Sequence, residues 1–200
     1  MTDLLIIGAG GHARVVLAAL ADGIRPALVD PAVPGGTRLD GIPVLGGDEV
    51  LSSHAEATHV AIGSNVLRRD AVDRAGPRVW TTVMSPLAHV IGGVTLAEGA
   101  FVGARAVIQP GAKIGRHVII NTGAIVEHDC LVGDFAHVAP GAVLCGAVVV
   151  GEGALVGAGA VVTPGISIGR DAVIGAGAVV VADVADGVTV VGNPARPLER

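Results

Sequence analysis

The stretch Asn121-Thr122-Gly123-Ala124-Ile125-Val126-Glu127-His128-Asp129-Cys130 is the most polar interruption of an otherwise aliphatic half-chain. His128 beside Asp129 is its most reactive pairing. An imidazole exchanges protons near neutral pH and suits the work of a general base. His137 follows nine residues later. Near the N-terminus, Gly8-Ala9-Gly10-Gly11-His12 separates two apolar runs, and Gly8, Gly10 and Ala13 satisfy G-x-G-x-x-G/A. Glycines there let the backbone approach a pyrophosphate at a helix start. Asp30, at the end of the next apolar run, is placed to accept from a sugar or base. Gly63, after a third such run, borders the same crevice. Cys130 and Cys145 lie fifteen apart; neither has an activating base in the pattern, so an acyl-cysteine route is not expected. The histidines show no ligand spacing for a metal.

The element that positions His128 and His137 is a repeat. Every sixth residue from Val90 to Val180 is Val, Ile or Leu, sixteen in succession. Two places before each stands a small or aliphatic residue, mostly Ala. One place after, Gly recurs at 103, 115, 133, 151, 157, 169 and 175. A period of six fits no helix. It fits a short strand and a tight bend, with both registers on one face of the strand. Three sides close a triangular coil of eighteen residues, and the stretch makes about five such coils. The glycines are expected to serve bends that need positive φ. His128 and His137 both point out of the prism and sit half a coil apart, so they do not share a face. A site using both is built between subunits, most simply in a homotrimer.

Upstream, residues 3–7 predict a buried parallel strand, 13–21 a helix, and 27–29 a second strand, one βαβ unit. Residues 31–41 form a Pro/Gly-rich loop, and Asp48 is a candidate helix N-cap. A strand over 59–62, a helix over 67–75 and a strand over 79–83 complete this part. The expected division is a Rossmann-like domain at 1–83, a solenoid at 84–182 and an extended tail at 183–200. With only about 83 residues the first domain makes one mononucleotide half, too little for a dinucleotide such as NAD.

Composition agrees. The chain is 51% hydrophobic yet 2% aromatic, with 31 Gly, as narrow coils without room for rings require. A formal net charge of −5 gives no footprint for nucleic acid or an anionic membrane. No apolar run is long enough for a membrane span, the N-terminus does not read as a signal peptide, and two thiols fit a reduced cytoplasmic protein.

The hexads resemble those of the hexapeptide-repeat acyltransferases, which implies a left-handed parallel β-helix. Gly8–His12, Ile62-Gly63-Ser64-Asn65, Asn121-Thr122, Val126–Cys130, Phe135-Ala136-His137-Val138 and Gly192-Asn193-Pro194-Ala195-Arg196 occur in the order seen in bacterial sugar O/N-acetyltransferases. The nearest type is the bacillosamine-pathway UDP-4-amino-sugar N-acetyltransferase. The resemblance implies transfer of acetyl from acetyl-CoA to the amine of a nucleotide-linked amino sugar. It implies His128 as general base supported by Asp129, where relatives usually carry Glu. It places acetyl-CoA against His137, Ala158 and Ala176, and the nucleotide sugar against Gly10, Gly11, His12, Asp30 and Gly63. O-acetylation of sialic acid or another glycan precursor, and a non-catalytic solenoid that binds a nucleotide sugar, are the alternatives.

Overall fold

The computed structural model describes residues 3–54 and 57–198. The outermost residues of the expected first domain and tail, 1–2 and 199–200, lie outside that range. The N-terminal part is a three-stranded parallel sheet in the order β2-β1-β5, where β1 is Leu4–Ile7, β2 Pro26–Val29 and β5 Ala57–Val60. All four residues of β1 are buried, which is why the strand reads as an unbroken apolar run. One face of β1, Leu4 and Ile6, packs with Ala13 and Val16 of helix α1 (Gly11–Leu17). The other, Leu5 and Ile7, packs with Ala71 of helix α2 (Asn65–Ala75).

Helix α1 is shorter and earlier than the 13–21 expected. Its last turn tightens into i→i+3 bonds, Ala19 N–H to Val16 O at 3.0 Å and Leu20 N–H to Leu17 O at 3.3 Å. The loop after β2 contains a small hairpin, β3 (Arg38–Leu39) with β4 (Ile42–Pro43), turned by Asp40 and Gly41, both at positive φ. Asp48 is no N-cap: Gly47 holds that place before a 3₁₀ turn, and the Asp48 carboxylate accepts from Arg74 Nε at 2.8 Å. Ser64 caps α2 through its hydroxyl. Residues 79–83 do not form a strand of the small sheet. A single bridge joins Thr58 to Trp80, and Val83–Met84 pairs with Phe101–Val102 of the solenoid. The chain thus passes from one sheet edge directly into the coils.

From there, two-residue strands stack in three parallel sheets, each partner eighteen residues away. The aliphatic register lies inside: Ile108, Val126, Leu144 and Val162 are fully buried, as are Ala106, Ala124, Ala142 and Ala160 beside them. The stacking continues past the expected end of the repeat, with Thr189–Val191 parallel to Val173–Ile174 and Arg196–Pro197 folding back on it.

The glycines one place after the aliphatics do not adopt positive φ. That conformation belongs two places further on, at Gly93, Gly99, Arg105, Gly111, His117, Gly123, Asp129, Phe135, Gly141, Ala147, Gly153, Gly159, Gly165, Asp171 and Gly177. The glycines at 103, 115, 133 and 151 answer a different demand. A Cβ there would lie 2.6–2.8 Å from a backbone N of the next coil. They are close-approach glycines; the bend itself tolerates Asp, Arg, His, Phe and Ala.

The prism has three walls with different outer faces. The docked wall, with Phe101, Ile119 and His137 pointing outward, is covered by the N-terminal domain: Phe101 and Ile119 are each 1% exposed and share a core with α1 and β1. The bare wall stacks Val107, Ile125, Val143, Val161 and Val179 outward in register, all half-buried, and none of them belongs to the core shared with the N-terminal domain. The mixed wall carries Thr95, Lys113, Leu131, Val149 and Ser167, all exposed.

Candidate active site

His128 stands on the corner between the bare and mixed walls, after Ile125–Val126 and before Leu131–Val132. Its side chain is 62% exposed, and Nδ1 lies 2.9 Å from Asp129 Oδ2. The shorter Asp reaches the ring because residue 129 has a left-handed backbone, φ 60°, which short polar side chains tolerate. An Nδ1–H donated to the carboxylate leaves Nε2 as the proton acceptor. The ring lies against Gly146, one coil on, where an added Cβ would come within 2.5 Å of Nε2. No described residue accepts from the Gly146 N–H.

His137 lies on the docked wall under the N-terminal domain rather than in the open. Nδ1 is 3.2 Å from Gly63 O and Nε2 is 3.0 Å from Asn121 Nδ2. A carbonyl at Nδ1 fixes the Nδ1–H tautomer, and Nε2 then accepts from the amide. Burial, and after it the Arg68 charge, lowers its pKa to about 4, so it is neutral at physiological pH. Ala158 and Ala176 are exposed and stacked one coil apart, with Gly177 N–H bonded to Ala158 O at 2.8 Å. They stand on the corner between the docked and bare walls. The bare wall therefore has His128 along one edge and the two alanines along the other. Within one chain they do not meet.

The five residues expected to hold the nucleotide sugar do come together. Gly10, Gly11, His12, Asp30 and Gly63 line one cleft of about 450 Å³, closed on its far side by Leu67, Asp70 and Arg74 of α2. The N–H groups of Gly10, Gly11 and His12 have no acceptor among the described residues. Asp30 does more than the sequence indicates. Its Oδ2 accepts from Ala9 N–H at 2.7 Å and its Oδ1 from Ala32 N–H at 2.9 Å, so it braces the glycine loop against the following turn. His12 packs edge-on to Phe101 at 5.2 Å and lies 6.5 Å from the His137 ring. Its Nε2 is buried without a partner among the described residues, and burial and then His137 lower its pKa to about 3.

Arg68 went unread in the sequence. It is 1% exposed, and its guanidinium makes six hydrogen bonds. Nε donates to His117 O at 2.8 Å, Nη1 to Ile62 O and Gly63 O, and Nη2 to Asn65 Oδ1, Phe135 O and Ala136 O. The same helix sends Asn65 Nδ2 to Gly153 O at 2.8 Å and Ala154 O at 3.1 Å. Carbonyls of successive coils thus receive α2, which fixes Gly63 over His137 and the cleft beside the prism. Desolvation, then repulsion from Arg69, lowers the Arg68 pKa to about 9. Only its position on the inner face of α2, where an apolar residue was due, offered a signal.

The PglD N-terminal domain family matches residues 3–75, the bacterial transferase hexapeptide (six repeats) matches 111–146 and 147–182, and the hexapeptide repeat of succinyl-transferase matches 93–128. No curated protein sequence matches the chain. Among solved structures, the acetyltransferase domain of PglB from Neisseria gonorrhoeae FA1090, in complex with acetyl coenzyme A, is 38% identical over 98% of both chains with a TM-score of 0.92. A histidine-to-asparagine mutant of perosamine N-acetyltransferase from Caulobacter crescentus, with CoA and GDP-perosamine, is 40% identical over 98% of this chain and 97% of that one, with a TM-score of 0.93. WeeI from Acinetobacter baumannii AYE is 32% identical over 99% of this chain and 100% of that one, with a TM-score of 0.89. A parallel β-helix of hexapeptide repeats behind a small α/β domain is the architecture of an acyltransferase class. Within it, this chain belongs to the PglD-type hexapeptide-repeat acetyltransferases.

Proposed function

We propose that His128 is the general base of acetyl transfer from acetyl-CoA to the amine of a nucleotide-linked amino sugar. The chain is an acetyl-CoA-dependent N-acetyltransferase of nucleotide amino sugars. The observation that carries the residue assignment is the His128–Asp129 contact at 2.9 Å, which leaves Nε2 beside Gly146 of the next coil. Only a neutral amine has the lone pair that attacks the thioester carbonyl. As the C–N bond forms, the amine proton passes to Nε2, and the Asp129 carboxylate stabilises the imidazolium. The Gly146 N–H, without an acceptor among the described residues, is available to hold the developing oxyanion. Collapse breaks the C–S bond, and the CoA sulfur takes the proton back from the imidazolium.

A complete site needs a second copy of the chain. The bare wall separates His128 from Ala158 and Ala176, and cyclic packing of such walls brings one corner of each prism to the opposite corner of its neighbour. A homotrimer does this most simply. There the pantetheine arm follows the small residues at 158 and 176, and His137 meets the donor through its ring edge or by displacing Asn121. The free N–H groups of Gly10, Gly11 and His12 take the phosphates of the nucleotide sugar. Among the described residues no helix is long and apolar enough to cross a membrane, and we place the enzyme in the cytoplasm, where acyl-CoA and nucleotide sugars occur together.

The test is an acetyl-CoA consumption assay over a panel of nucleotide amino sugars. The wild-type chain is expected to turn over at least one, and His128→Ala to lose roughly 100-fold to 10,000-fold in kcat. Turnover retained by His128→Ala overturns the base assignment.

A further inference from the structure

We propose that the outer end of the nucleotide cleft reads the base, and that Asp70, steadied by Arg74, selects guanine. This rests on the reading that the cleft holds the nucleotide. Leu67, Asp70 and Arg74 stand at i, i+3 and i+7 on α2 and form one wall, opposite Asp30, Pro31 and Ala32. The free backbone N–H groups lie at the glycine loop, so the phosphates belong there and the base at the α2 end.

The charges at that end are arranged rather than scattered. Arg74 Nε donates to Asp48 Oδ2 at 2.8 Å and Arg74 Nη1 pairs with Asp70 Oδ2. Two carboxylates share one guanidinium, which leaves a net charge of −1. No described residue donates to Asp70 Oδ1, and the side chain is 57% exposed. Asp30, by contrast, has a backbone donor on each oxygen and acts as a brace.

A carboxylate needs donors, and the bases differ in what they offer. Guanine presents N1–H and the 2-amino group side by side, with O6 next to them as an acceptor. Asp70 takes the two donors and a remaining N–H of Arg74 takes O6. Uracil presents one N–H flanked by two carbonyls, and each carbonyl is repelled by the carboxylate. Cytosine sets two acceptors beside its amino group. The pair of Asp70 and Arg74 complements guanine alone on three adjacent atoms.

The experiment is calorimetric titration of the full chain with GDP, UDP, CDP and ADP, and the same series on Asp70→Asn. GDP is expected to bind about 10-fold more tightly than the others. Asp70→Asn keeps the side-chain size and is expected to remove that preference, lowering GDP affinity and raising UDP affinity as the repulsion of its carbonyls is relieved; a merely structural role would weaken all four together. Thermal melting checks that the variant is folded. Equal affinities, a preference for UDP, or a GDP preference that survives Asp70→Asn overturns the inference and leaves the cleft reading standing. Failure of every nucleoside diphosphate to bind the wild-type chain removes the cleft reading itself.

Discussion

The docked and bare walls of the prism are built from the same hexads and turn similar outward faces, yet one is finished within the chain and the other is not. Phe101 and Ile119 on the docked wall are each 1% exposed under the N-terminal domain. Val107, Ile125, Val143, Val161 and Val179 on the bare wall are half-buried and stand outside the core shared with the N-terminal domain. The docked wall owes its cover to polar as well as apolar contact, since Arg68 and Asn65 tie α2 to the carbonyls of successive coils. The bare wall presents stacked β-branched side chains, and among the described residues no side chain of the N-terminal domain bonds to it. A wall closed by buried hydrogen bonds fixes a domain permanently, whereas a flat apolar wall flanked by functional corners suits a copy of the same chain. Under the proposed reading, the difference gives a nucleotide cleft within one chain and an acetyl-transfer site shared between copies.

The sharpest way to break this comparison is to put the same charge on two walls. Val143→Glu buries a carboxylate in the proposed interface. It is expected to yield a monomer by size-exclusion with light scattering and to lower acetyl transfer by roughly 100-fold or more. An unchanged oligomer with full activity would remove the bare wall from the site. Arg68→Ala attacks the docked wall instead, leaving the coil carbonyls of His117 and Phe135 without their donor. The expected cost is about 3 kcal/mol or more, a fall of roughly 10 °C in Tm, with nucleotide affinity lost along with it. Calorimetry and nucleotide binding together decide whether α2 positions the cleft.

Acid probes the same wall more gently. Burial is the first cause that holds His59, His117 and His137 neutral down to about pH 4, and His12 to about 3. Their unfolded counterparts take up protons below about pH 6.5, so in the window from 6.5 to 4 the unfolded chain binds more protons. These groups leave stability unaffected above pH 6.5 and lower it as the pH falls toward 4, each by at most about 1.4 kcal/mol per pH unit. A melting temperature that stays flat from pH 7 to pH 4.5 would contradict the buried neutral state. The smallest effect belongs to the mixed wall. Val149→Glu, at a position 38% exposed, is expected to change stability by no more than about 0.5 kcal/mol and to leave oligomer and turnover as they were.

Sequence period was a strong guide where one residue type repeats for one reason. The inward Val, Ile and Leu register places every strand of the coils, because a side chain that faces a narrow apolar interior has few substitutes. The glycine register was misread in its cause. A contact between coils and a positive φ both favour Gly, and one sequence does not separate them; the structure does, since positive φ falls on Arg105, His117, Asp129 and Phe135 as well. The βαβ start was legible from Leu4–Ile7 and the glycine loop, while the helix end at Leu17 and the loss of a strand over 79–83 were not. Those are set by how the small domain meets the prism.

By itself, the sequence determined the prism, its inner packing, and the outward placement of His128 beside Asp129, because all of these follow from short-range periodicity. Tertiary structure alone decided that Asp129 reaches the imidazole, that Asp30 braces the glycine loop, and that Arg68 locks two domains through backbone carbonyls. Main-chain carbonyls carry no mark of residue type, so a side chain that recognises them leaves no pattern until the fold brings the two together.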